Sequence, residues 1–392
     1  MAKKFYIAIG VVAVISVVIG YAVGNYVATV SFKDYEEELL ARIRRLQAEL
    51  GMPPCEEELR VYTWSWYIHP YMIELFKKAY GVRRVVYKTF ESDEEVWAKL
   101  LTNQTGYDVV CISDSFVAMA IRDNLIQRLN KTLIPNLEYV DEKFRYGKYY
   151  FFDPGNNYSV PYMWGTTGIG YDASLVTDPV TGWEQLFDFS PGGFLEKYRG
   201  KITMLDDMTE TFGAALKYLG YSLADTDPEH LEQAKNLLIQ QKRYLKMYAG
   251  ADLYIPYMAN PEATGFWICH VWNGDLYIAK EANPNLVYVL PKEGGILWID
   301  CWVIPNGAPH PVAAHAWINF LCDPLVSALN SMYIHYASPI KISVQRILPE
   351  WITSEKGIYP TEEMLEKFVI TKPHTEEESN LFLHLWEEVK LA

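Results

Sequence analysis

Cysteine is scarce in this 392-residue chain, with Cys55, Cys111, Cys269, Cys301 and Cys322 as its only five. None belongs to a CxxC pair, which excludes a zinc knuckle and a dense disulfide framework while leaving room for one or two bridges. No HExxH occurs, and His310 and His315 stand five apart, not the four that places two ligands on one helix face, so no metal site is expected. A GxSxG elbow and a phosphate-binding GxxxxGK[ST] loop are equally absent, which argues against a serine esterase and an ATPase. Gly165-Thr166-Thr167-Gly168-Ile169-Gly170 departs from GxGxxG spacing and fits glycines in a strand crossing. Basic residues number 35 against 49 acidic, a net charge of −14, so no nucleic-acid partner is expected. The acidic surplus suits a cationic ligand as well as plain solubility. No cofactor motif, internal repeat or low-complexity stretch stands out.

Apolar residues, by contrast, make up half of the chain, enough for a sizeable core. Aromatic residues reach 15%, with 29 tyrosines and 12 tryptophans, more than aliphatic packing needs, which leaves some for a ligand site. From Phe5 to Val30 there are 26 residues without a charge. As a helix this run is about 39 Å long, enough to cross a ~30 Å hydrocarbon core with tilt. Its length favours a retained anchor over a cleaved signal peptide, although Ala22-Val23-Gly24 is a candidate cleavage site. Lys3 and Lys4 before it and the acidic KDYEEE after it place the rest of the chain outside the cytoplasm.

Residues 1–33 are therefore read as a membrane anchor or signal segment, and 34–57 as a helical stalk. In the stalk Leu39, Ile43, Leu46 and Leu50 repeat with 4-3-4 spacing before Gly51-Met52-Pro53-Pro54 ends the pattern. Beyond it short apolar segments alternate with helical patterns, the signature of α/β units with a largely parallel sheet. Strands are expected at Leu59 to Ser65, Val82 to Phe90 and Tyr107 to Ile112, with helices at Pro70 to Tyr80 and Asp93 to Asn103. The Asp/Pro/Gly/Asn-rich loop Phe152 to Asn157 precedes the apolar Ser159 to Gly170, where the chain is expected to cross between lobes.

Two acidic positions carry the chemistry. Asp206, Asp207 and Glu210 follow the strand-like Lys201 to Leu205 and open a helical stretch over Thr211 to Leu219. Capping is one reading of them. Asp207 and Glu210, three apart, also occupy neighbouring surface positions from which both reach one ammonium group. Asp300 lies two residues after Trp298 in the otherwise apolar GILWIDCW, where a carboxylate is costly to bury without a partner. Alternation puts Trp298 and Asp300 on one face, an indole beside a carboxylate, which suits an alkylammonium ligand. Trp272 in HVWNGD and Trp66 in TWSW are further candidates.

YDVVCIS, NNYSVPYMWGTTGIGYD, TMLDDMTE followed by ALKYLGYS, VWNGD, and VLPKEGGILWID with VIPNGA after it occur in this order. From about Val61 to Pro339 the succession resembles the spermidine/putrescine-binding proteins of bacterial ABC importers. The resemblance implies an α/β, two-lobed type II periplasmic-binding-protein fold, here with an N-terminal transmembrane helix. Lobe 1 is then 58–164 and 300–357, lobe 2 is 165–299 and 358–392, and the ligand is gripped in the cleft between them.

It further implies that Asp207, Glu210 and Asp300 bind the amines, that Trp66, Trp272, Trp298 and Tyr336 wall the site, and that Ser113 follows the third strand. The family's Trp-Thr-Glu-Tyr run is read as Trp66-Tyr67-Ile68-His69, which lacks the acid. A tyrosine of the family is replaced by Ser115, with Asp114 as a compensating acid. The expected function is a non-enzymatic, extracytoplasmic receptor that hands a polyamine to a permease driven by a separate ATPase. A thiamine-like cation or metal chelate is the alternative ligand, and a surface hydrolase using Asp207 and Glu210 the alternative of another class.

Overall fold

The computed structural model describes residues 35–90, 92–102 and 105–392, so the Phe5 to Val30 run lies outside the described residues. The chain forms two compact units and passes between them at Trp164/Gly165, Leu297/Trp298 and Ser354/Glu355.

The first unit opens with a helix over 35–50, α1. Its apolar seam is used: Leu39 and Ile43 are buried, whereas Leu50 is exposed. Glu36 accepts a hydrogen bond from Tyr71 and pairs with Lys78 at 2.6 Å, and Arg42 pairs with Asp323. Asp323 is itself buried and caps a later helix by accepting from the Leu325 backbone N–H at 2.9 Å. Arg42 is thus its counter-charge. Removing one partner of a buried pair strands the other, although partial exposure of Arg42 tempers the effect. Arg42→Ala is expected to cost about 2 kcal/mol of stability, read as a melting point lowered by several degrees. Arg45→Ala, which breaks only the exposed pair with Glu49, should leave it nearly unchanged.

Next come β1 (Glu58–Trp64), α2 (Pro70–Tyr80), β2 (Arg84–Phe90), α3 (Asp93–Leu101), β3 (Val109–Ser113) and α4 (Asp114–Arg122). Pro70 at the first turn, the His69 cap and left-handed Gly81 fix the ends of α2. β1 runs parallel to β2 and β3, as the alternation implies. After short 3₁₀ turns β4 (Ser159–Asp172) carries the chain into the second unit.

There it forms α5 (Phe194–Lys197), β5 (Ile202–Leu205), α6 (Met208–Tyr218), α7 (Pro228–Lys242), β6 (Leu245–Ala249), α8 (Ala251–Met258), α9 (Pro261–Thr264), β7 (Ile268–Trp272), α10 (Asn273–Lys280) and β8 (Leu286–Val289). β5 pairs in parallel with β6 and β7, whereas β4 is antiparallel to β7 and β8. β9 (Leu297–Val303) returns the chain to the first unit antiparallel to β3. The expectation of a largely parallel sheet is corrected accordingly, because β4 and β9 carry the chain from one unit to the other. α11 (Pro311–Leu321), α12 (Pro324–Ile334) and α13 (Glu350–Thr353) complete the first unit, and α14 (Glu362–Leu365) and α15 (Glu376–Leu391) the second.

The first unit's core is aromatic where its helices meet the sheet: Trp317 stands edge-on to Phe76 at 5.0 Å and to Trp302 at 6.1 Å. In the second unit Ile268 and Met204 join a buried cluster with Trp183, Phe212 and Leu238. Their neighbours Cys269 and Leu205 join another with Tyr254, Met258 and Leu276. Alternation along β5 and β7 thus gives that sheet apolar contacts on both faces. The glycines of β4 admit close neighbours rather than a nucleotide: a Cβ on Gly168 would stand 2.4 Å from the Val289 carbonyl oxygen. All five cysteines are free thiols, so neither of the bridges left open is formed.

Candidate functional site

The predicted residues fall into two sets, one on each unit. In the second unit Asp207 is the N-cap of α6, its carboxylate accepting from the Glu210 backbone N–H at 2.9 Å. The capping role is therefore real for Asp207. Asp206 pairs instead with Lys390 at 2.7 Å. Glu210, three residues into the first turn, is buried at 8% exposure. Its Oε1 accepts from Thr167 Oγ1 at 2.7 Å and from the Trp272 indole N–H at 3.2 Å. Trp272 ends β7 and stands at the N-cap position of α10. Strand β4, helix α6 and strand β7 thus bring Glu210 and the Trp272 indole together, a pairing that the sequence did not indicate. Thr167 was not anticipated. It is a polar residue in a strand with two apolar faces, and that was the only local signal.

In the first unit Asp300 lies on β9, directly opposite Ser113 in the antiparallel ladder with β3. It is buried, and Tyr67 donates its hydroxyl to Oδ2. The indole side of Trp64 is a further partner of this carboxyl. Burial pushes Asp300 up to about 7, with Tyr67 and Trp64 opposing the rise. Asp114 opens α4 and is also buried, accepting from the Ile299 backbone N–H at 2.8 Å; burial carries it up to about 8.

Trp298 stands edge-on to Tyr336 at 5.1 Å, and Tyr336 meets Tyr67 at 5.6 Å. Trp66 sits in the turn after β1 with a φ of 59°, a left-handed conformation uncommon outside glycine. The groups of this segment that meet Asp300 are Trp64 and Tyr67, and sequence reasoning passed over both. Trp64 was taken as an ordinary strand residue, and Tyr67 as the second position of the run Trp66-Tyr67-Ile68-His69.

Among the described residues no group of three or more His, Cys, Asp and Glu side chains is placed to hold a metal ion. The first-unit set instead presents carboxyls, tyrosine hydroxyls and indole faces, which favour an organic cation.

Comparison with known proteins agrees in fold and in family. The profile of the bacterial extracellular solute-binding proteins matches residues 71–360. The spermidine/putrescine-binding periplasmic protein of Escherichia coli is 34% identical over 324 residues, covering 81% of this chain and 88% of the relative. The putrescine/cadaverine-binding protein of Pseudomonas aeruginosa is 30% identical over 367 residues, covering 90% and 99%. Among solved structures, a putative spermidine/putrescine ABC transporter protein from Listeria monocytogenes superimposes with a TM-score of 0.79 at 31% identity, covering 86% of this chain and 99% of that one. The fold is the two-lobed α/β type II periplasmic-binding-protein fold, and the chain belongs to the bacterial extracellular solute-binding proteins, in the group that includes the E. coli spermidine/putrescine-binding protein.

Proposed function

We propose that this chain is the substrate-binding protein of an ABC importer and that its ligand is a polyamine of the spermidine or putrescine kind. It is a binding protein and not an enzyme, as its relatives are. It works outside the cytoplasm, held at the membrane by the Phe5 to Val30 run, and passes its ligand to a permease served by a separate ATPase. The observation that carries the ligand reading is the first-unit set: buried Asp300 and Asp114, without a Lys, Arg or His partner among the described residues, beside Tyr67, Tyr336 and Trp298. Buried carboxyls without a cation of their own are supplied with one by the ligand. On the other unit Glu210 and Asp207, with Trp272 beside Glu210, are assigned to binding an ammonium group as well.

Two or three charge-assisted contacts at about 1.5–3 kcal/mol each and methylene burial at about 0.8 kcal/mol per group are of the same order as the roughly 8 kcal/mol of micromolar binding. Calorimetric titration of the full chain in detergent with putrescine, spermidine and thiamine tests the reading. One polyamine per chain at micromolar affinity or tighter is expected, with thiamine weaker. Tight thiamine binding with no heat from either polyamine refutes the assignment.

A further inference from the structure

Asp93 belongs to none of the predicted site residues, yet it is buried at 8% exposure although it opens helix α3, where acids ordinarily face solvent. Its carboxyl turns to β3: Oδ1 accepts from the Ser113 backbone N–H at 3.2 Å, and the Ser113 side chain is a further partner. Ser113 is the cross-strand partner of Asp300 and the chain neighbour of Asp114. Three buried carboxyls, carried by α3, α4 and β9, therefore converge on one cross-strand pair. None has a Lys, Arg or His partner among the described residues.

We propose that Asp93 is a third acid of the ligand-binding set, a positioning residue acting through Ser113 and Asp300, and that it makes capture of an ammonium group displace protons from the cluster. The inference rests on the polyamine reading of the same site. Three neighbouring carboxyls buried without a cation do not all ionise, so the empty receptor holds protons there and an arriving ammonium takes their place. Burial raises all three, Asp300 to about 7, Asp114 to about 8 and Asp93 well above the usual range, and the charge of Asp300 adds to the rise of the other two. The two Ser113 donors pull Asp93 the other way. Asp93 is thereby a group that a nearby cation tips into its ionised form.

The surroundings supply no competing switch. Cys111 on β3, Cys301 on β9, Tyr67 after β1 and Tyr162 on β4 are all pushed up by burial and stay neutral. On α3 itself Glu94 is exposed, and its charge adds to the rise of Asp93. Of the charged groups on β2, Arg84 pairs with Glu58 at 3.1 Å and Lys88 is exposed.

The test is calorimetric titration of the full chain with putrescine at pH 6, 7 and 8, each in two buffers of different ionisation enthalpy. The wild type should release about one proton or more per ligand at pH 7, with affinity rising up to about tenfold per pH unit for each proton released. Asp93→Asn should still bind putrescine but with fewer protons released and a flatter pH profile, and Ser113→Ala should flatten it in the same direction. Glu74→Gln, which removes an exposed acid of α2 that pairs with Lys77, should match the wild type. A wild type that binds without releasing protons overturns the inference whether or not the variants fold, as does an Asp93→Asn profile identical to the wild type. Absence of putrescine and spermidine binding at every pH overturns the polyamine reading first, and this inference falls with it.

Discussion

Asp300→Asn is expected to weaken polyamine binding about 100-fold while making the empty protein more tolerant of neutral and alkaline pH. Binding is lost because the substitution removes the charge that Tyr67 and Trp64 orient, and a desolvated charge-assisted contact is worth about 1.5–3 kcal/mol. The stability gain follows from the raised pKa. In the folded, empty protein Asp300 titrates at about 7, against about 3.9 in an unfolded chain. Between these two values the folded form holds a proton that the unfolded form has released. Stability is therefore fullest below about pH 4 on this account, falls as pH rises to about 7, and levels off above. Asparagine carries no such proton, so the fall should shrink. Thermal unfolding of ligand-free protein between pH 5 and 8 measures it, and a variant as pH-sensitive as the wild type, or one binding with unchanged affinity, contradicts the assignment of Asp300.

Glu210→Gln is the second large effect, expected at tenfold to 100-fold in affinity with little loss of stability. Glutamine keeps an oxygen to accept from Thr167 and Trp272, bonds of 2.7 and 3.2 Å, and loses only the charge. Glu210→Ala should additionally destabilise the second unit by about 1–3 kcal/mol, because it strands those two donors. Asp207→Asn isolates the other role: asparagine is as good an N-cap as aspartate, so α6 survives and any loss of affinity belongs to the charge. Titration of each variant with putrescine measures these losses, and affinities equal to the wild type for both Glu210→Gln and Asp207→Asn would remove the two acids from the binding set.

Asp300 was legible because a carboxylate inside the apolar GILWIDCW breaks a local pattern, whereas Asp207 and Glu210 open a helix as ordinary first-turn acids do and were singled out by the family resemblance. Asp93 was not legible for the opposite reason. As one of Asp93, Glu94 and Glu95 in the first turn of α3, it obeys the helix-terminus rule so well that nothing marks it as buried. Trp64 and Tyr67 escaped because alternation gives the face a residue occupies but not what that face meets.

The sequence by itself determined the α/β class of the chain, its first strands and helices, and the residue types available to hold a cation, since periodicity, capping and turn chemistry act over a few residues. Tertiary structure alone decided which acids lose their water and which gain a partner. Asp323 meets Arg42 281 positions away, whereas Asp300, Asp114 and Asp93 come together with no cation among the described residues, because β9 returns antiparallel to β3 beside the starts of α3 and α4. Charge is local in the sequence, but its desolvation is a property of everything packed around it.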